Sequence, residues 1–197
     1  MRVPEVLTRD EIKRIQAIPK EDLKKAKSEH QQFNAIRNLA VLRLLTSTGL
    51  RVSEVCNLNL KNVLLGEKQL KIREGKFGNE DYQPISNNET IESLRGYLAE
   101  REKIPGKGEA FFISYFGQRI LPRQIRRYVK DYAIRASITK SVHPHSFRHT
   151  FATELLRATG NLRLVQVALR HKRISSTEIY THIAKPELTE ALEKAGL

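Results

Sequence analysis

The 197-residue chain holds a single cysteine, Cys56, so no disulfide can form within it. One lone thiol fits a reducing, cytoplasmic compartment. No stretch approaches the ~18 consecutive apolar residues of a membrane-spanning helix. The segment Met1 to Asp10 is charged and has no apolar core, so no secretory signal is expected there. Internal repeats, low-complexity tracts and Pro/Gly/Ser linkers are also missing. Negative charge is the remaining shortage: 22 Asp and Glu stand against 35 Lys and Arg, a net charge of +13.

What is present is a globular composition, 40% hydrophobic and 29% charged, which excludes a disordered chain. The length fits one large domain or two small ones. A domain this basic is expected to meet a polyanion, with nucleic acid the first candidate. A membrane surface or a ribosome would attract the same charge, so charge alone does not choose.

The patterning is mostly helical. Thr8-Arg9-Asp10-Glu11 is a capping box that opens a helix after Thr8. Glu21 to His30 is polar and reads as a loop or helix end. Ile36, Leu39, Ala40, Leu42, Leu44 and Leu45 make an apolar helix closed by Gly49. A short helix follows, with Arg51 and Glu54 three apart on one face. Gln69 to Arg73 alternates as a strand and Tyr82 to Ser86 can return as a second, joined by a turn over Gly75 to Asn79. A helix is expected over about Glu89 to Arg101, and a loop at Gly106-Lys107-Gly108. Pro122 suits the first turn of a helix running to about Ser137. Its apolar stripe is Ile125, Tyr128, Val129, Tyr132, Ala133 and Ala136. Arg123, Arg126, Arg127 and Lys130 share another side. Arg119 to Arg135 carries six basic residues and one acid, Asp131, a balance that favours phosphate contact over a merely solvated face. Helices over His145–Ala158 and Leu162–Leu169 come next. Ser175-Ser176-Thr177-Glu178 is a second capping box, placing Tyr180 in a short helix. Pro186 to Leu197 reads as a final small helix.

Several side chains could do chemistry. His145 and Arg148 are one turn apart and can face one ligand. A guanidinium offers a planar fork to phosphate oxygens and keeps its charge. Arg51 can add a second fork, and two arginines on one phosphate would offset the charge that builds when a fifth oxygen attacks phosphorus. Each arginine alone reads as surface or structural. His143, His145 and His149 invite a metal reading, but Pro144 breaks the local geometry and no Cys or acid completes a shell. Lys76 is either an exposed turn lysine or an ammonium that protonates a leaving oxygen. Tyr180 alone is an ordinary helical tyrosine, with a free pKa of ~10 that needs nearby cations or a base before it can act as a nucleophile.

Together the boxes Thr48-Gly49-Leu50-Arg51-Val52-Ser53-Glu54, Gly75-Lys76 with Pro84, His143 through Thr153, and His171 followed by Ser175 through His182 resemble the tyrosine recombinase (phage integrase) family. The likeness is closest to its Xer-type members and runs from about Leu7 to Lys185. Arg148 and His171 are 23 residues apart, and His171 and Tyr180 nine. By this resemblance Arg51, Lys76, His145, Arg148, His171 and Tyr180 are the active-site positions. Tyr180 would be the nucleophile and Lys76 the general acid. His145 would assist proton transfer. Arg51, Arg148 and His171 would hold the nonbridging oxygens. Glu54 would buttress Arg51. Arg123, Arg126, Arg127, Lys130, Arg170, Lys172 and Arg173 are the expected DNA contacts.

The implied fold is α+β and mainly helical, with a small antiparallel sheet near Lys76. Residues 1–185 would form the catalytic domain and 186–197 a tail helix, with the family's N-terminal DNA-clamping domain absent. The implied partner is double-stranded DNA, in the cytoplasm at the nucleoid. Self-association would give a tetrameric synapse with exchanged tails. Neither a metal nor another cofactor is implied, and no membrane. Two other functions fit the same boxes less well: a non-catalytic DNA-binding protein of this fold, and a type IB topoisomerase-like enzyme. Two sequence features depart from the family. Arg170 stands where a glycine is usual, and Glu80, Asp81 and Tyr82 follow the hairpin lysine where basic residues are usual.

Overall fold

The computed structural model describes residues 6–74, 79–105 and 108–170. Lys76, His171, Lys172, Arg173, Tyr180 and the tail from Pro186 lie outside the described residues.

Helix α1 (Arg9–Lys25) starts at the expected capping box: Thr8 Oγ1 accepts from the Glu11 amide at 3.2 Å, and Glu11 Oε2 accepts from the Thr8 amide at 2.7 Å. It runs straight through Pro19. Of the two readings of the polar stretch, loop or helix end, the structure takes the second. Glu21–Lys25 finishes α1, and Ser28 caps α2 (Glu29–Thr48) by accepting from the Gln31 amide at 3.3 Å. Polar residues there form the exposed ends of two helices, not a connector.

Helix α2 is the hub. It packs against α1, against α4 (Asn88–Glu102) and against α6 (Pro144–Thr159). Its buried residues, including Phe33, Val41, Leu42, Leu44 and Leu45, leave little of its circumference for water, as expected of a helix enclosed by others. Burying each such side chain contributes about 1.5–3 kcal/mol. The remaining helices are α3 (Val52–Asn57), α5 (Pro122–Arg135) and α7 (Leu162–Ala168). The predicted stripe of α5 is buried as a set, against α1 and α3.

A three-stranded antiparallel sheet, ordered β1 (Val63–Leu64), β2 (Gln69–Glu74) and β3 (Asn79–Pro84), stands beside the helices. Strand β3 begins and ends earlier than the expected Tyr82–Ser86, with Lys71 opposite Tyr82 and Gln69 opposite Pro84. Its acidic first half carries no strand signal in its side chains; the backbone ladder to β2 alone makes it a strand. The two-residue β1 is too short to show any periodicity.

Two features place the junction of α2 and α3. Gly49 ends α2 in the left-handed region, φ +61°, its amide donating to Leu45 O at 3.2 Å. A Cβ at this position would lie 2.4 Å from the Phe151 ring on α6, so glycine is required by conformation and by contact. A G49A variant is expected to lose at least about 1–2 kcal/mol of stability, from left-handed strain plus displacement of Phe151. Denaturant titration against the parent chain measures this; an unchanged midpoint would contradict it.

Candidate active site

Three chain segments that are distant in sequence meet around Arg148. This residue lies on the second turn of α6 and is almost fully buried. Its Nη1 donates to Gly49 O at 2.6 Å, and its Nη2 to Leu169 O at 2.6 Å. One guanidinium thus holds the α2–α3 turn, two residues ahead of Arg51, and the end of α7, two residues ahead of His171. Helix α7 is also held to α6 by a small apolar cluster of Ala152, Leu156, Val165 and Leu169.

Arg51 precedes α3, and its side chain is 37% exposed. Glu54 takes its Nη1 on Oε1 at 2.9 Å and its backbone amide on Oε2 at 2.6 Å, which closes the first turn of α3. Glu54 has a second cation. Arg170 Nη2 lies 3.1 Å from its Oε2, and Arg170 Nη1 donates to Gln83 Oε1 on β3. Burial opposes ionisation of Glu54, but Arg170, the Arg51 amide and the Arg51 guanidinium together hold its carboxyl below the ordinary range.

Arg170 therefore does not stand where the sequence suggests. Its side chain is 3% exposed and engaged by Glu54 and Gln83, so it is not presented to a DNA phosphate. It follows the last residues of α7 at φ +52°, a conformation natural to glycine, with its amide donating to Val167 O at 2.9 Å. A side chain in this region costs about 1–2 kcal/mol. The buried ion pair to Glu54 offsets that strain. Gln83 was not singled out from the sequence, since one glutamine in a polar strand carries no local signal.

His145 sits in the first turn of α6, with its ring reaching solvent. Partial burial, and then the positive fields of His143, Arg148, Arg126 and Arg51, hold its pKa below the usual imidazole value, so it is neutral near pH 7. Among the described residues, no three His, Cys, Asp or Glu side chains are grouped to hold a metal ion.

On α5, Arg123, Arg126, Arg127 and Lys130 are all exposed and form no ion pair with described residues. Two further basic residues of that segment are used internally. Arg119 donates to Cys56 O at 2.7 Å and Leu58 O at 3.1 Å, and Arg135 pairs with Asp22 and Asp131. Helix α5 thus offers four exposed cations.

This arrangement of a helical domain with a small antiparallel sheet matches that of tyrosine recombinase catalytic domains. A family model described as the phage integrase family matches residues 5–187, and the chain belongs to that family of tyrosine recombinases. It is 37% identical over 199 residues to tyrosine recombinase XerC of Thermodesulfovibrio yellowstonii, a match covering 98% of this chain and 62% of that protein. A tyrosine recombinase of Agathobacter rectalis is 38% identical over 159 residues, covering 81% of this chain and 52% of the relative. The chain thus spans between half and two thirds of these curated relatives' length. Its fold superimposes on the crystal structure of XerA recombinase with a TM-score of 0.81 and 32% identity, covering 99% of this chain and 66% of that one. The XerH site-specific recombinase bound to palindromic difH substrate, a post-cleavage complex, gives 0.78 and 27%, covering 96% and 53%.

One pH effect follows from the packing of α6. Burial first, then the fields of His145, His143 and Arg148, push the pKa of His149 down to about 4. Its unfolded-state pKa is ~6.5. Between pH 6.5 and 4 the unfolded chain binds a proton that the folded chain rejects, so stability falls as pH falls through this window. An H149Q variant is expected to lose less stability than the parent between pH 7 and pH 4.5. Melting curves across that range check this; parallel losses in the two proteins would refute it.

Proposed function

We propose that this chain carries the catalytic machinery of a site-specific DNA recombinase, acting in integration, excision or dimer resolution through a 3′-phosphotyrosine intermediate. The observation that supports this most is the buried Arg148 guanidinium, one turn from His145 on α6 and bonded two residues ahead of both Arg51 and His171. The roles of Lys76, His171 and Tyr180 rest on their match to the family's motifs.

In the proposed reaction the Tyr180 hydroxyl attacks the scissile phosphorus. A bond forms from Tyr180 Oη to phosphorus, and the bond from phosphorus to the 5′ oxygen breaks. The tyrosine proton passes to His145, which must be neutral to take it. Lys76 gives a proton to the leaving 5′ oxygen. Arg51, Arg148 and His171 hold the nonbridging oxygens as negative charge builds at the five-coordinate phosphorus. The 5′ hydroxyl of another strand then attacks the phosphotyrosine and reverses these steps. The phosphodiester energy stays in the covalent link, so no nucleotide cofactor or metal takes part.

Arg123, Arg126, Arg127 and Lys130 would grip the backbone of duplex DNA, joined by Lys172 and Arg173. Self-association on DNA as a tetrameric synapse, with residues 186–197 docking on a neighbouring protomer, completes the proposal. Such a protein would work in the cytoplasm, at the nucleoid.

Nicked suicide duplexes followed by denaturing gels test the chemistry. In EDTA the wild-type chain should form a covalent protein–DNA adduct, and Y180F should bind DNA without forming one. An adduct persisting in Y180F would overturn the nucleophile, and relaxation of supercoils without strand exchange would favour a topoisomerase. Affinity for duplex DNA should fall steeply with salt, and R126A or R127A should each reduce the slope of log K against log[salt] by about 1. An unchanged slope would remove α5 from the interface.

A further inference from the structure

We infer that Arg170 is a positioning residue: it serves as the standing counter-ion of Glu54, so that Arg51 can leave Glu54 for a phosphate. The inference rests on the recombinase reading of the site and deepens it.

Arg51 has two incompatible bonds to make. In the structure its guanidinium is paired with Glu54 at 2.9 Å. To hold a nonbridging phosphate oxygen it must turn toward DNA, and its 37% exposed side chain has an open side on which to turn. If Arg51 were the only cation beside Glu54, that turn would strand a carboxylate whose side chain is 14% exposed. A buried, unpaired carboxylate is costly, so it would compete with the phosphate for Arg51. Arg170 removes the competition. Its guanidinium lies 3.1 Å from Glu54 Oε2, the oxygen that also accepts the Arg51 backbone amide at 2.6 Å. Both of those bonds survive when the Arg51 side chain rotates away; only the bond at Oε1 is given up. Arg51 and Arg170 are the charged groups that face Glu54 among the described residues.

Arg170 is also fixed in place. Its side chain is 3% exposed, and Gln83 of β3 accepts its other terminal nitrogen. The same residue thereby joins three pieces of the site: α3 through Glu54, the strand that leads back from the Lys76 hairpin, and the chain immediately before His171. A glycine here would satisfy the φ of +52° without strain but could provide none of these bonds. The left-handed arginine is thus retained for its charge, not for its backbone.

The test uses the full chain and a pool of nicked duplexes with a randomised crossover sequence, trapping the covalent adduct on denaturing gels. R170M is expected to trap adduct about tenfold or more slowly than wild type at pH 7.5, because Glu54 now holds Arg51. Adding E54Q to R170M should recover rate, since a neutral amide no longer captures Arg51. A purely structural role predicts the opposite, further loss in the double variant. R170M cleaving at the wild-type rate, or a double variant slower than R170M, overturns the inference. Should R170M not fold, R170K carries the test: it keeps the cation and should stay within about threefold of wild type, and a tenfold loss counts against the inference. Failure of the wild-type chain to form any adduct would sink the recombinase reading instead. The counter-ion is then judged by carbon-13 NMR titration of Glu54, whose pKa should rise in R170M and stay near the wild-type value in R170K; an unmoved titration in R170M, or a rise in R170K as large as full loss of the charge would give, overturns it.

Discussion

The guanidinium of Arg148 is the bond on which the site depends. It spans from Gly49 O at one end to Leu169 O at the other, from inside the protein. Neither carbonyl belongs to a residue with chemistry of its own. Their value is position, since each lies two residues ahead of a motif residue. The turn at Gly49 can approach α6 this closely only because it has no Cβ to meet Phe151. Backbone conformation, ring packing and one buried cation therefore act as a single constraint. Loosening any one shifts Arg51 relative to α6.

A second layer of cations works in the same way. The net charge of +13 suggests a surface built for a polyanion. Part of that charge is instead spent inside. Arg101 is fully buried and donates to the carbonyls of Gly108, Ala110 and Phe111. Arg37 donates to Ile113 O and Asn38, and Arg119 fastens the chain after α3. Arginine suits this role because its planar fork meets several carbonyls at once, and backbone oxygens left unpaired in the interior would be costly. Four of the exposed cations are gathered on α5.

Electrostatics also sets the protonation states that the chemistry needs. His145 lies among arginines and is kept neutral, a state able to accept a proton. Glu54 lies between two arginines and is kept ionised. Burial and the nearby cations lower the pKa of His145, and the two arginines outweigh burial to lower that of Glu54, so both shifts run downward and leave a neutral imidazole and an ionised carboxylate, the forms the proposed reaction uses. The cost is expected at α6, where the half-buried His149 ring favours its neutral form and would make the fold sensitive to acid.

Much was legible before any coordinates. The capping box at Thr8, the closing Gly49, Pro122 at the start of α5 and the buried stripe behind it are local signals, because helix ends and amphipathic faces follow from neighbours in the chain. The motif boxes named the family for the same reason: each is a short run of residues. Misreadings came where local signal ended. Polar helix ends were not told apart from a loop, and an acidic strand held only by its partner was placed late. What the sequence could not reveal is which cations turn inward. Arg170 and Arg119 look no different from Arg126 when read along the chain. Their roles are decided by partners far away in sequence, Glu54 and Gln83 for one and the carbonyls of Cys56 and Leu58 for the other. The residue types at the site were thus set by the sequence itself. Tertiary structure decided whether each charge faces solvent or the interior, because a charge's surroundings depend on which distant segments pack against it.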